Sequence, residues 1–223
     1  LELTKQVAPA ALPMSVSHRT YRREPSFTVA IARDPAFNFM YEANIRYLHH
    51  LGEVTYFSPL ADTSLPDAGF VYLPGGYPEL YLAALSANRP MLQSIRRYVE
   101  NGGKLLAECG GMMYLCDEIR DKNGDVYPMA GVLHQSATME NMKLRLGYRT
   151  LLYNDARLKG HEFHYSRLVE QQDPLPSCAV AYTAKGVETD TPLYHYKNVW
   201  AGYTHLYWAD PAGNDWFTKF IIK

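Results

Sequence analysis

The sequence predicts a doubly wound α/β fold, a mostly parallel sheet with helices on both faces and added antiparallel strands in the C-terminal half. Three observations predict it. Short apolar, β-branched runs alternate with amphipathic stretches of about 10–15 residues through the first half, the pattern of repeated βα units. Two of those runs end next to glycine pairs, Gly75 and Gly76 after one and Gly110 and Gly111 after the other, where a strand can turn tightly into a helix. Beyond residue 144, helical periodicity gives way to strand-like segments.

The first strand is FTVAIA at 27–32, closed by Arg33, Asp34 and Pro35. Phe37, Met40, Tyr41, Tyr47, Leu48 and Leu51 then predict an amphipathic helix that Gly52 closes. EVTYF at 53–57 and GFVYLP at 69–74 are the next strands, the latter running into Gly75, Gly76, Tyr77 and Pro78. Helices are expected at 79–87 and 90–100, the second opening on Pro90, whose fixed φ suits a first turn. Asn101, Gly102 and Gly103 end it, KLLAE at 104–108 is the fourth strand, and Gly110 to Leu115 open a helix directly after Cys109. The segments 144–153, 161–169, 178–184 and 198–208 read as antiparallel strands extending the sheet. In such a layer, ligands bind beyond the strand C-termini.

The composition bounds the rest. With 223 residues, 47% hydrophobic and 20% charged, the chain fits one packed domain with a tail. Residues 1–26, with three Pro and no apolar periodicity, read as an interdomain linker or flexible tail, leaving 27–223 as the domain. The start at Leu1 suggests a piece of a longer polypeptide. A net charge of −1 gives no footprint for nucleic acid, and no apolar run reaches the roughly 18–20 residues that span a bilayer, so neither partner is expected and a cytoplasmic location is. Three cysteines make neither a disulfide framework nor a four-cysteine zinc site.

Cys109 is the sharpest chemical feature. Between a buried strand and a helix, it would stand above the sheet, where unpaired backbone N–H groups lower a thiol pKa and can hold an oxyanion. The same position also suits a small buried hydrophobe. Cys116 and Cys178 read as core residues. Gly75 and Gly76 fall on the same rim and can aim a main-chain N–H at an oxyanion, or simply form a turn. Of the eight histidines, His205 in GYTHLYW is favoured as the base, and His161 and His164 are rivals. His49 and His50 sit on a helix end and His18 in the tail. His161 and His164 point to opposite faces of a strand and lack the H-E-x-x-H spacing, so no metal site is expected. Tyr98 stands where a P-loop ending in GGK would need its first glycine, and there is no G-x-G-x-x-G, so no nucleotide site is expected.

The strings FMYEANIRYLHHLGEVTYFSPL, LPGGYPE, AECGGMMYL, LRLGYR and GHEFHYS resemble class I glutamine amidotransferases of the cobyrinate and cobyric acid synthase type. GHEFHYS is similar to the C-terminal glutaminase domain of the cobyrinic acid a,c-diamide synthase branch. The resemblance covers about residues 27 to 210 and implies a flavodoxin-like fold. It implies that Cys109 attacks the glutamine carboxamide and His205 carries the proton, with Gly76 and Gly110, beside Gly75, as oxyanion and glutamine-binding positions. It further implies a partner: an N-terminal synthetase domain that uses ATP and magnesium, absent from this chain, to activate the a and c carboxylates of a corrinoid acceptor for ammonia. No cofactor is expected in this domain itself. Many class I amidotransferases carry His-x-Glu, whereas Tyr207 stands two residues after His205. Glu162, His164 and Asp210 are the supporting candidates.

Other readings stay open at this point. The acceptor could be another tetrapyrrole, cobyric acid or nickel-sirohydrochlorin. The chain could be a stand-alone cysteine peptidase or deglycase of the same fold, or a docking module with a structural cysteine. Its 18 Tyr leave room for a homodimer interface, although core packing is their usual use.

Overall fold

The computed structural model describes residues 27–222; the expected linker at 1–26, with His18, and Lys223 lie outside the described residues. The four apolar runs of the first half form β1 (Thr28–Ala32), β2 (Glu53–Phe57), β3 (Phe70–Leu73) and β4 (Lys104–Glu108), paired in parallel. Between and after them lie α1 (Glu42–Leu51), α2 (Leu82–Ala87), α3 (Arg89–Glu100) and α4 (Gly110–Leu115). Period-two alternation divides each strand between two cores. Val29, Ile31, Phe70, Tyr72 and Leu106 face α1 residues Ile45 and Leu48, while Ala30, Ala32, Val71, Leu73, Leu105 and Ala107 face α3 residues Met91, Leu92, Ile95 and Val99. Both faces of the sheet are therefore covered. Each of the larger buried side chains contributes about 2 kcal/mol of transfer free energy.

Local signals set the ends of α3. Asn88 accepts the Met91 N–H, Pro90 sits in the first turn, and Gly102 at φ 85° lets the chain turn back into β4.

The second half supplies β5 (Glu118–Arg120), β6 (Val126–Pro128), β7 (Ser136–Thr138), β8 (Arg145–Tyr153), β9 (Ala156–His164), β10 (Arg167–Leu168), β11 (Val180–Thr183), β12 (Glu188–Thr189), β13 (Leu193–Tyr196), β14 (Val199–Gly202) and β15 (His205–Tyr207), followed by α5 (Pro211–Trp216). The central sheet runs, edge to edge, β13, β14, β4, β3, β1, β2. β14 joins it parallel to β4, and only β13 is antiparallel. The remaining strands do not extend that sheet as expected. They form a four-stranded sheet, β10, β7, β5, β6, and a five-stranded antiparallel sheet, β12, β11, β8, β9, β15.

Three further sequence expectations are corrected. The first helix starts at Glu42, because the Asp34 side chain accepts the Ala36 and Phe37 N–H groups and Phe39 N–H donates to Gly75 O, which holds 34–39 as a loop. The expected strand at 161–169 is two, β9 and β10, and β9 begins at Ala156. The run 198–208 is also two: β14 ends at Gly202, and the chain crosses through Tyr203 and Thr204 into the other sheet as β15.

Parallel pairing puts the C-terminal ends of β1, β3, β4 and β14 on one edge. The Phe39 loop, the glycine loop, Cys109 and His205 all follow those ends.

Candidate active site

Cys109 takes φ 49° and ψ −108° between β4 and α4, a conformation that costs an L-residue about 1–3 kcal/mol. Its surroundings hold it there: Cys109 N–H donates to Gly202 O at 2.8 Å, and its carbonyl accepts Met113 N–H at 3.0 Å. The two glycines that follow let the turn press onto β3 and the loop after it. A β-carbon on Gly111 would lie 2.1 Å from Leu73 O, and one on Gly110 2.7 Å from Pro78 Cδ.

The thiol does not have the lowered pKa that a helix N-terminus suggests. Burial, then the nearby Glu79 carboxylate, pushes it up to about 12 against the opposing effect of the Gly110 N–H. A six-residue helix offers a small dipole, and a sulfur on a residue 5% exposed has little water to stabilise its charge.

His205 opens β15, opposite His161 of β9. Its ring stacks on that of His161, centroids 4.9 Å apart at 18°, and meets the edge of Phe39 at 4.5 Å. Burial first, then the neighbouring His161 and His164, hold the imidazole down at about 3. Cys109 and His205 therefore form a neutral pair at rest. His205 Nδ1 is buried with no hydrogen-bond partner among the described residues.

Cys109, His205, Gly76, Tyr77, Phe39, His161 and Phe163 line one cavity of about 290 Å³. Gly75 lies against the His205 ring, and Gly110 against Gly76 O and Pro78. The structure thus brings Cys109, Gly75, Gly76, Gly110 and His205 together. His49 and His50 stay exposed on the last turn of α1. Cys116 is buried and Cys178 half-buried; burial raises both thiols, Cys178 to about 11.

A strained cysteine at a strand-to-helix turn, a buried histidine and a glycine loop thus share one cavity. Residues 28–213 match the CobB/CobQ-like glutamine amidotransferase domain. The chain belongs to this family. It is 39% identical over 185 residues to hydrogenobyrinate a,c-diamide synthase of Pseudomonas aeruginosa and 41% identical over 185 residues to cobyrinate a,c-diamide synthase of Fusobacterium nucleatum; each match covers 80% of this chain and 41% of the relative. The chain spans about two fifths of the length of these curated relatives. Its fold is shared with PurLQS from Thermotoga maritima (TM-score 0.55, 19% identity, 80% of this chain and 86% of that one).

In this amidotransferase domain neither carboxylate considered for His205 is paired with its imidazole. Glu162 is 1% exposed and forms an ion pair with Arg149 at 2.6 Å. Asp210 caps α5 by accepting Gly213 N–H at 2.8 Å and sits 3.4 Å from Lys159. His164 stacks on Tyr203 at 3.8 Å, its Nδ1 lies 2.9 Å from Ser166 O, and it lines a smaller recess beside Cys109 with Glu79.

Sequence reasoning named His161 only as a rival base and missed Glu79 and Glu108. His161 lines the main cavity, and Tyr41 Oη lies 2.6 Å from its Nδ1. Glu79, raised by its own burial, is the strongest electrostatic influence on the thiol. Glu108, 1% exposed, accepts Tyr72 Oη–H at 2.6 Å and Leu206 N–H at 3.1 Å. Burial lifts its carboxyl to about 7, against these two donors and the Trp208 indole. A charged residue closing the apolar run KLLAE was the available signal.

Proposed function

We propose that this domain hydrolyses glutamine through a Cys109 thioester and delivers the ammonia to an ATP-dependent synthetase. The observation that carries this reading is the shared cavity of Cys109, on its strained turn, and His205. Cys109 Sγ attacks the carboxamide carbon while its proton passes to His205. Because the resting pair is neutral, proton transfer accompanies attack rather than preceding it. Main-chain N–H groups of Gly76 and Gly110 receive the oxyanion. His205 returns the proton to the leaving nitrogen, ammonia departs, and water then releases glutamate from the thioester.

The acceptor we assign is the pair of a and c carboxylates of cobyrinate or its metal-free counterpart, after the names of the relatives. In this reading ATP, magnesium and the corrinoid are bound by the synthetase and not by this domain. Phe39, Tyr77, Phe163 and Tyr165 line the two recesses around Cys109 and are themselves exposed. Leu146 and Tyr148 continue that apolar face on β8, opposite Phe163 and His161. This surface suits a partner that covers the mouth and keeps ammonia from water.

The test is reaction with 6-diazo-5-oxo-norleucine and location of the added mass. Labelling at Cys109 that glutamine prevents and Cys109→Ala abolishes is the expected result. Absence of labelling, also with the synthetase portion, ATP and corrinoid present, overturns the reading.

A further inference from the structure

The strand that carries His205 is an edge strand, and side chains finish its edge. β15 pairs with β9 on one side. On its other side, Leu206 N–H donates to Glu108 Oε1 at 3.1 Å, Leu206 O accepts Asn44 Nδ2–H at 2.8 Å, and Trp208 N–H donates to Asn44 Oδ1 at 3.1 Å. Glu108 and Asn44 are both buried. Two buried side chains thus do for β15 what a neighbouring strand would do.

Glu108 has the wider reach of the two. It precedes Cys109 in the chain, its Oε2 is held by Tyr72 of β3 at 2.6 Å, and its Oε1 holds the residue after His205. It therefore joins the central sheet to the second sheet at the point where the chain passes between them. Burying a carboxylate costs several kcal/mol, and a well-packed apolar residue is often at least as stable in its place. Stability alone is a poor account of this residue; fixing a geometry is a better one.

We propose that Glu108 is a positioning residue of the amidotransferase site, setting the place of His205 relative to Cys109 through the Leu206 main chain. It takes on through the backbone the orienting task that a carboxylate two residues after the histidine would perform on the imidazole. The inference rests on the Cys109 and His205 pairing proposed above.

The experiment follows inactivation of the full 223-residue chain by 6-diazo-5-oxo-norleucine, with kinact and KI measured beside thermal melting. Glu108→Ala should lower kinact at least about tenfold with KI within about threefold, because alignment is lost while the pocket is kept. Glu108→Gln keeps an acceptor oxygen for Leu206 and should recover most of kinact. A purely structural Glu108 would lower the melting temperature of Glu108→Ala but leave kinact of the folded protein at the wild-type value, and that result overturns the inference alone. If Glu108→Ala does not melt cooperatively, Glu108→Asp replaces it, retaining the charge but drawing back by one methylene; a similar drop supports the inference and an unchanged kinact overturns it. Failure of the wild-type chain to react at Cys109, also with the synthetase portion, ATP and corrinoid present, overturns the glutaminase reading and this inference with it.

Discussion

The backbone of Gly75 lies directly against the imidazole of His205: a β-carbon at position 75 would sit 2.1 Å from Cε1 and 2.9 Å from Nδ1. The glycine loop is thus also the wall that fixes the histidine ring. Gly75→Ala should displace His205 and reduce labelling of Cys109 by the norleucine reagent by about 100-fold, since small misplacements at a reacting centre carry that scale of penalty. Gly69→Ala, whose β-carbon would meet nothing nearer than 3.6 Å, is the control. Equal rates in the two variants would refute the wall.

The thiol should be selective rather than generally reactive. Burial holds Cys109 up at about 12, so at pH 7.5 its thiolate fraction is very small. Iodoacetamide should therefore modify the half-buried Cys178 before Cys109, while the glutamine analogue modifies Cys109 first. Peptide mapping after brief treatment measures both orders. Fast iodoacetamide capture at Cys109 would contradict the neutral resting pair.

Two buried groups should give opposite pH dependences of stability. His205 falls from 6.5 to about 3 on folding, so the unfolded chain binds the extra proton and stability declines as pH falls from about 6.5 toward 3. Glu108 rises from 4.5 to about 7, so the folded chain binds the extra proton; its contribution is complete below 4.5 and is lost as pH rises through 7. Each slope approaches about 1.4 kcal/mol per pH unit at most. Between pH 6.5 and 4.5 the two oppose each other. Urea denaturation should show His205→Gln gaining on the wild type as the solution is acidified through that window, and Glu108→Gln losing ground. Parallel curves for all three proteins would contradict the burial of these groups.

The Arg149 and Glu162 pair is largely buried, with side-chain exposures of 10% and 1%. Removing the cation alone leaves a buried carboxylate without a partner, so Arg149→Ala should destabilise the domain by about 3–5 kcal/mol. Arg149→Met combined with Glu162→Gln should recover much of that loss. Chemical denaturation of the single and double variants decides it, and a loss under about 1 kcal/mol in Arg149→Ala would mean that water already screens the pair.

The parts of this molecule that were legible in its sequence are those written in adjacent residues. KLLAE followed by Cys109, Gly110 and Gly111 announces a buried strand, a tight turn and a helix within twelve residues, 104–115, because each requirement is local. The division of 198–208 was not legible, since NVWAGYTHLYW has one continuous strand-like pattern. Its break depends on β4 accepting β14 as a parallel neighbour while β9 receives β15, and those choices are made by residues far away. The start of α1 was misread for a related reason. Phe37 and Tyr41 fit the helical period, but the first is buried in the core behind a turn and the second reaches His161. The charge of Glu108 at the end of KLLAE was legible, but its bond to Leu206 was not, because Leu206 is 98 positions away.

The parallel pairing of β4 with β14 has a consequence for the order in which the molecule can be made. Leu105 and Val199 are register partners about ninety residues apart, and two further sheets draw strands from the interval. Contacts of such long sequence separation form late, after their loop-closure entropy has been met. A chain still emerging from the ribosome holds Cys109 on a strand without its neighbour, and no His205 at all. The pairing of Cys109 with His205 that we propose for glutamine hydrolysis therefore waits for the last strands.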